Sequence, residues 1–148
     1  MGTITTLFKG KRRRHYLKAM IGIDVSGSIS DKNIEEFLSE IRWLMSSCDA
    51  EVEVVFFDTA ITDKFVLKEL KDMQQITKAS GRGGTSYEEF FKYAEDEKAR
   101  EVIVFTDGYG DQDSMKKPPS WMRVWWVCND EKPSFPFGKD FRIKSGGD

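Results

Sequence analysis

Two short runs of almost unbroken apolar residues limit what this chain can become. They are Ala19-Met20-Ile21-Gly22-Ile23 and Val102-Ile103-Val104-Phe105. A strand that is apolar at every position, rather than at alternate ones, needs cover on both faces. Such strands belong to the middle of a parallel sheet. Each run stops at an acid: Asp24 directly follows the first, and Thr106-Asp107 follows the second. Helical patterns lie between the strands. After Ser30 or Asp31, either of which can cap a helix, Ile34, Phe37, Leu38, Ile41, Leu44 and Met45 recur at helical spacing. Lys32, Glu36 and Glu40 are expected on the wet face of that helix. A second helix is expected to open at Ser86-Tyr87-Glu88-Glu89, where Ser86 and Glu89 read as a capping box and Tyr87, Phe90, Phe91 and Ala94 as the buried stripe.

Further strands are read at Val52 to Phe57, Ile61 to Leu67 and Val124 to Cys128, with a short addition near Phe141 to Ile143. The short turn Asp58-Thr59-Ala60 makes Ile61 to Leu67 an antiparallel edge strand. Strands alternating with helices indicate an α/β fold, a doubly wound, mainly parallel, Rossmann-like sheet with one antiparallel edge strand and helices on both faces. In such sheets ligands sit beyond the carboxyl ends of the strands, where the strand order switches. Asp24 and Asp107 fall at such ends. The loop Gly83-Gly84-Thr85-Ser86 is placed to close over the same edge.

The residue types gathered there define a chemistry. Asp24, Ser26, Ser28, Thr85 and Asp107 supply two carboxylates and three hydroxyls, with no histidine or cysteine converging on them. That donor set suits a hard dication: Mg²⁺ first, with Mn²⁺ or Ca²⁺ also accommodated by oxygen ligands. Gly27 is expected to free the turn that aims Ser26 and Ser28, and Gly83-Gly84 to let the Thr85 backbone approach closely. Taken singly, the two serines are equally ordinary turn and capping residues. Two carboxylates balance the charge of the ion and leave a coordination position able to attract an acidic side chain of a partner. Asp107 to Asp113 is no EF-hand, because the bidentate Glu of its twelfth position would fall at Pro118. Asp111 and Asp113 therefore read as solvated loop acids, with Asp111 alternatively tuning the rim of the site.

An alternative is a Mg²⁺-dependent phosphohydrolase with Asp24 as nucleophile. The acid/base such enzymes place two residues later is here Ser26, which does not shuttle protons at neutral pH. The one histidine, His15, has no evident Ser or Cys partner, and the expectation is a binding module rather than an enzyme.

The 148 residues suit one domain with a sizeable core. A basic arm, residues 1–17, precedes a folded part, 18–148. No apolar stretch approaches the roughly 18–20 residues of a membrane span, and no signal-peptide pattern opens the chain, so a cytoplasmic setting is expected. Cys48 and Cys128 read as reduced packing residues. A net charge of -2 argues against a whole-surface nucleic-acid binder. The run Lys9, Lys11, Arg12, Arg13, Arg14 reads as a solvated arm, or alternatively as a phosphate-contacting nucleic-acid adaptor.

The three-part pattern resembles the metal-ion-dependent adhesion site (MIDAS) of von Willebrand factor A (VWA) domains: Asp-x-Ser-x-Ser, a distant Thr, then an Asp in Thr-Asp-Gly. Asp24-Val25-Ser26-Gly27-Ser28, Thr85 and Thr106-Asp107-Gly108 match it at all five positions. More narrowly, Gly22 to Ser30, Gly84-Thr85, Thr106 to Gly110 and Pro136-Phe137-Gly138 are similar to the bacterial metallopeptidase-associated VWA-like group. The resemblance covers roughly Lys18 to Gly138. It implies Mg²⁺-dependent protein binding, often alongside AAA-type ATPases. The metallopeptidase part is not among these residues, so the partner is expected in another chain.

Overall fold

The computed structural model describes residues 17–76, 83–129 and 133–143. The basic run Lys9 to Arg14, His15 and Arg82 lie outside the described residues. The elements are β1 (Leu17–Asp24), α1 (Asp31–Ser47), β2 (Ala50–Phe57), β3 (Ile61–Leu67), α2 (Glu88–Asp96), β4 (Glu101–Thr106), β5 (Arg123–Cys128) and β6 (Lys139–Arg142). Single 3₁₀ segments occupy Leu70–Gln75 and Gln112–Ser114. The sheet runs β3-β2-β1-β4-β5-β6. All pairings are parallel except β2 with β3, so the expected antiparallel edge strand is present. The chain leaves β1 toward β2 on one side and later returns as β4 on the other. The switch in strand order therefore lies between β1 and β4.

The two faces of the sheet have separate cores. On one, Ile21, Ile23, Val52, Val54, Ile103 and Phe105 pack beneath α1 through its Ile34, Phe37, Leu38, Ile41 and Leu44. Burying each such side chain contributes about 1.5–3 kcal/mol. On the other, Val55, Phe57, Val104 and Trp126 pack beneath Tyr87, Phe90, Phe91 and Ala94 of α2 and the residue preceding it. This division follows from period-two alternation along each strand, which also sends Trp125 and Trp126 to opposite faces. Among the described residues, no helix is long and apolar enough to cross a membrane.

Two expectations about the helices need correcting. Ser30 caps α1 as expected, accepting from the Asn33 amide at 3.0 Å. Glu40, expected in solvent, is only 7% exposed. It sits about 40° around the helix from Leu44, so it borders the apolar stripe instead of opposing it. The Ser86–Glu89 capping box does not form. Helix α2 begins at Glu88 behind Tyr87, with no side-chain cap of its own, and Ser86 is engaged elsewhere.

Gly22 on β1 lets α2 approach the sheet. A Cβ there would lie 2.7 Å from the Phe90 ring, and Phe90 is itself stacked on Phe57 with centroids 5.3 Å apart. With Phe90 held on both sides, Gly22→Ala is expected to destabilise the fold by about 1–3 kcal/mol through overpacking. Urea unfolding should show a lower midpoint at an unchanged m value.

Candidate metal centre

Asp24 ends β1 with no solvent exposure. Parallel pairing of Ile23 with Phe105 sets it beside Thr106 at the end of β4. The Thr106 hydroxyl donates to Asp24 Oδ2 at 2.7 Å, and the Ser26 amide donates to Oδ1 at 2.9 Å. Thr106 has a single hydroxyl proton, and Asp24 takes it. Its oxygen therefore accepts from the Gly108 amide at 3.1 Å and from the buried Tyr87 hydroxyl at 2.9 Å. The direction of the whole chain is thereby fixed: Tyr87 to Thr106 to Asp24.

Ser26 Oγ lies 3.2 Å from Ser28 Oγ, the first buried and the second exposed, so the pair leads from Asp24 to the surface. Asp107 is 9% exposed, with Oδ1 accepting from the Tyr109 amide at 3.1 Å. Burial pushes the Asp24 carboxyl above its ordinary value, the bonds from Thr106 and Ser26 oppose this, and the neighbouring charge of Asp107 adds to the rise. Two acids thus share this edge, and the charge of Asp107 disfavours ionisation of Asp24.

The Thr85 loop joins the same edge through contacts on both sides. Gly27 donates to the Gly83 carbonyl at 2.9 Å. Gly27 has no positive φ, so its contribution here is this bond rather than the freed turn expected of it. On the far side, a Cβ on Gly110 would sit 2.8 Å from Thr85 Cγ2. Only glycine in the loop after β4 allows Thr85 to lie against it. The loops carrying Asp24, Ser26 and Ser28, Thr85, and Asp107 therefore meet at the switch between β1 and β4.

Two further carboxylates organise this edge; of the two, only Asp111 has a sequence reading that connects it to the site, as a tuner of its rim. Asp58, in the turn after β2, accepts from the Gly83 amide through Oδ2 at 3.1 Å and from the Ser86 amide through its carbonyl at 2.9 Å. Burial works against ionisation of Asp58, but the amides of Ala60, Gly83 and Thr59 outweigh it and hold the carboxyl below its usual value. Asp111, expected to be a solvated loop acid, accepts from the Ser86 hydroxyl at 2.8 Å and from the Tyr87 amide at 3.0 Å. The capping-box pattern fails in register: the helix starts at Glu88 with Tyr87 before it, and the Ser86 oxygen accepts from the Glu88 amide at 3.4 Å while its proton goes to Asp111. The local Asp-Thr-Ala turn was a signal for Asp58. The spacing carries no sign of the bonds that Asp111 makes to Ser86 and Tyr87.

Among the described residues, no three of His, Cys, Asp and Glu gather as a metal-binding group. The donors at the edge are two carboxylates supplemented by hydroxyls. Their chemistry fits a hard, oxygen-preferring dication, which would also relieve the clustering of Asp24 and Asp107.

The raised value of Asp24 gives a pH dependence of definite sign. Without metal, the folded state holds a proton that the unfolded state releases near 3.8. This contribution to stability is complete below that pH and is lost as pH rises through the higher folded value. Asp24→Asn cannot ionise, so in chelator it should gain stability relative to the wild type as pH rises from 3.8. Urea melts of both proteins over that range provide the measurement, and a constant difference would contradict it.

Comparison with known proteins agrees with this architecture. Residues 19–144 match the family described as VWA-like domain (DUF2201). An uncharacterized protein of Thermotoga maritima is 30% identical over 103 residues, which are 67% of this chain and 25% of that protein. The chain thus spans about a quarter of the length of that relative. Three solved structures share the fold. An aerotolerance-related membrane protein of Bacteroides fragilis superposes with a TM-score of 0.58 at 16% identity, over 76% of this chain and 67% of that one. BatB of Bacteroides thetaiotaomicron gives 0.56 at 15% identity, over 76% and 66%. The ArnB paralog VWA2 of Sulfolobus acidocaldarius gives 0.52 at 18%, over 75% and 34%. The chain belongs to the VWA-like domain (DUF2201) family.

Proposed function

We propose that this domain is a metal-dependent protein-binding module in which Asp24, Ser26, Ser28, Thr85 and Asp107 hold a divalent cation, Mg²⁺ first and Mn²⁺ or Ca²⁺ as substitutes. One observation carries the reading: Asp24 and Asp107, both nearly inaccessible, meet at the strand-order switch beside a serine pair that reaches the surface. The bound ion would supply an electrophilic position for an acidic side chain of a partner protein. The residues of the chain do the rest. Thr106 and the Ser26 amide fix the Asp24 carboxylate, the Tyr109 amide steadies Asp107, and Ser28 faces the approaching partner. An AAA-type ATPase or a metallopeptidase-like protein is the partner that the family resemblance favours.

The same observations speak against catalysis by Asp24. Both of its oxygens accept hydrogen bonds, the side chain is closed to solvent, and the residue two positions on is Ser26. A nucleophile needs access and a nearby proton acceptor or donor.

Calorimetric titration with Mg²⁺ should give saturable binding to the wild type and at least tenfold weaker binding to Asp24→Ala. Mg²⁺ at 100 times its Kd should raise wild-type stability by about 2.7 kcal/mol. A pull-down of partners should succeed with Mg²⁺ and fail with chelator. Equal Mg²⁺ affinity in the two proteins would remove the basis of the proposal.

A further inference from the structure

Thr85 is the one proposed donor that belongs to neither β1 nor β4 and their exits, so something must set its position. Its loop is gripped from two sides by carboxylates. Asp58 takes the Gly83 amide through its side chain and the Ser86 amide through its carbonyl. Asp111 takes the Ser86 hydroxyl through Oδ2 and the Tyr87 amide through Oδ1. Thr85 lies between these anchor points, with its methyl group against Gly110.

Tyr87 extends the grip inward. Its amide is bound by Asp111, while its hydroxyl donates to Thr106, the residue that holds Asp24. Its ring packs edge-on against Phe57 and Trp126. The loop after β4, which carries Asp107 and Asp111, is thus tied to the Thr85 loop at one end of Tyr87 and to Asp24 at the other.

We propose that Asp111 is a positioning residue of the metal centre: with Asp58 as the opposing jaw, it clamps Ser86 and Tyr87 so that the Thr85 hydroxyl is presented to the ion bound by Asp24, Ser26, Ser28 and Asp107. This rests on the metal-binding reading above. Asp111 is assigned no bond to the ion: its oxygens hold the Ser86 hydroxyl and the Tyr87 amide. Its role is geometric, and its charge is not required. Residues that orient metal ligands commonly change affinity by about 10–100-fold when removed.

Three variants test this: Asp111→Ala, which removes both acceptors; Asp111→Asn, which keeps an acceptor for the Tyr87 amide and a polar contact to Ser86; and Ser86→Ala, which removes the bond to Asp111 and the longer one from the Glu88 amide and serves if Asp111→Ala does not fold. The readouts are amide hydrogen exchange of Tyr87 in chelator and Mg²⁺ affinity by calorimetry. Asp111→Ala should speed Tyr87 exchange and weaken Mg²⁺ binding about tenfold, Ser86→Ala should weaken it by less, and Asp111→Asn should recover most of the wild-type affinity. Wild-type exchange and affinity in Asp111→Ala would overturn the proposal, as would Asp111→Asn binding as weakly as Asp111→Ala. Faster Tyr87 exchange with unchanged Mg²⁺ affinity would also overturn it. A wild-type chain that binds no Mg²⁺, while Asp111→Ala still loosens Tyr87, would defeat the metal reading and leave the clamp standing.

Discussion

A carboxyl group enclosed at the end of a central strand is costly unless its environment compensates, because burial strips it of water. In this fold the compensation for Asp24 comes from Thr106 and the Ser26 amide. Thr106 can hold it only because β4 runs parallel to β1 in the register that sets Phe105 against Ile23. The aromatic core takes part as well. Tyr87 reaches Thr106 from the packed layer between α2 and the sheet, where Phe57 and Trp126 fix its ring. Strand register, helix packing and side-chain chemistry therefore converge on one hydroxyl group. Moving any of the three would leave a buried polar atom without its partner, at about 1–3 kcal/mol per orphaned group.

The topology explains why the loop-borne hydroxyls and carboxylates of the candidate site come to this edge. At the carboxyl ends of β1 and β4 the chain departs in opposite directions, the place where sheets of this kind leave room for a ligand. The loops after β1, β2 and β4, together with the loop before α2, all border it. Backbone bonds such as Gly27 to Gly83 and Val25 to Phe57 stitch these loops together without using the proposed donors. The two serine hydroxyls thus lie against each other while backbone bonds hold the loops together.

Much of this was legible in the sequence. The buried strands were readable because runs such as Ala19 to Ile23 tolerate no exposed face, and the edge strand because Asp58-Thr59-Ala60 is too short for a crossover. Ser30 was readable as a cap because its partner, Asn33, is three residues away. Ser86 was misread for the opposite reason: its pattern is local, but the carboxylate that takes its proton and the Tyr87 amide is Asp111, 25 residues on from Ser86. Glu40 shows a similar limit, since residues at the margin of a helical stripe go to either side depending on what packs alongside. The five donor positions stood out as a pattern of residue types at strand ends. The residues that hold them in place did not, because positioning depends on tertiary contacts.

The bond between Thr106 and Asp24 joins residues 82 positions apart. Closing so long a loop is entropically demanding and slow relative to local contacts. During synthesis, β1, α1, β2 and β3 can collapse into a half-sheet while Asp24 still lacks its hydroxyl donor. The edge that brings Asp24 beside Thr106 comes into being only when β4 emerges from the ribosome and docks beside β1. Until then an acid that will later be enclosed stays solvated at an open sheet edge, which makes strand β4 docking the step that converts a nascent half-sheet into a protein with a site.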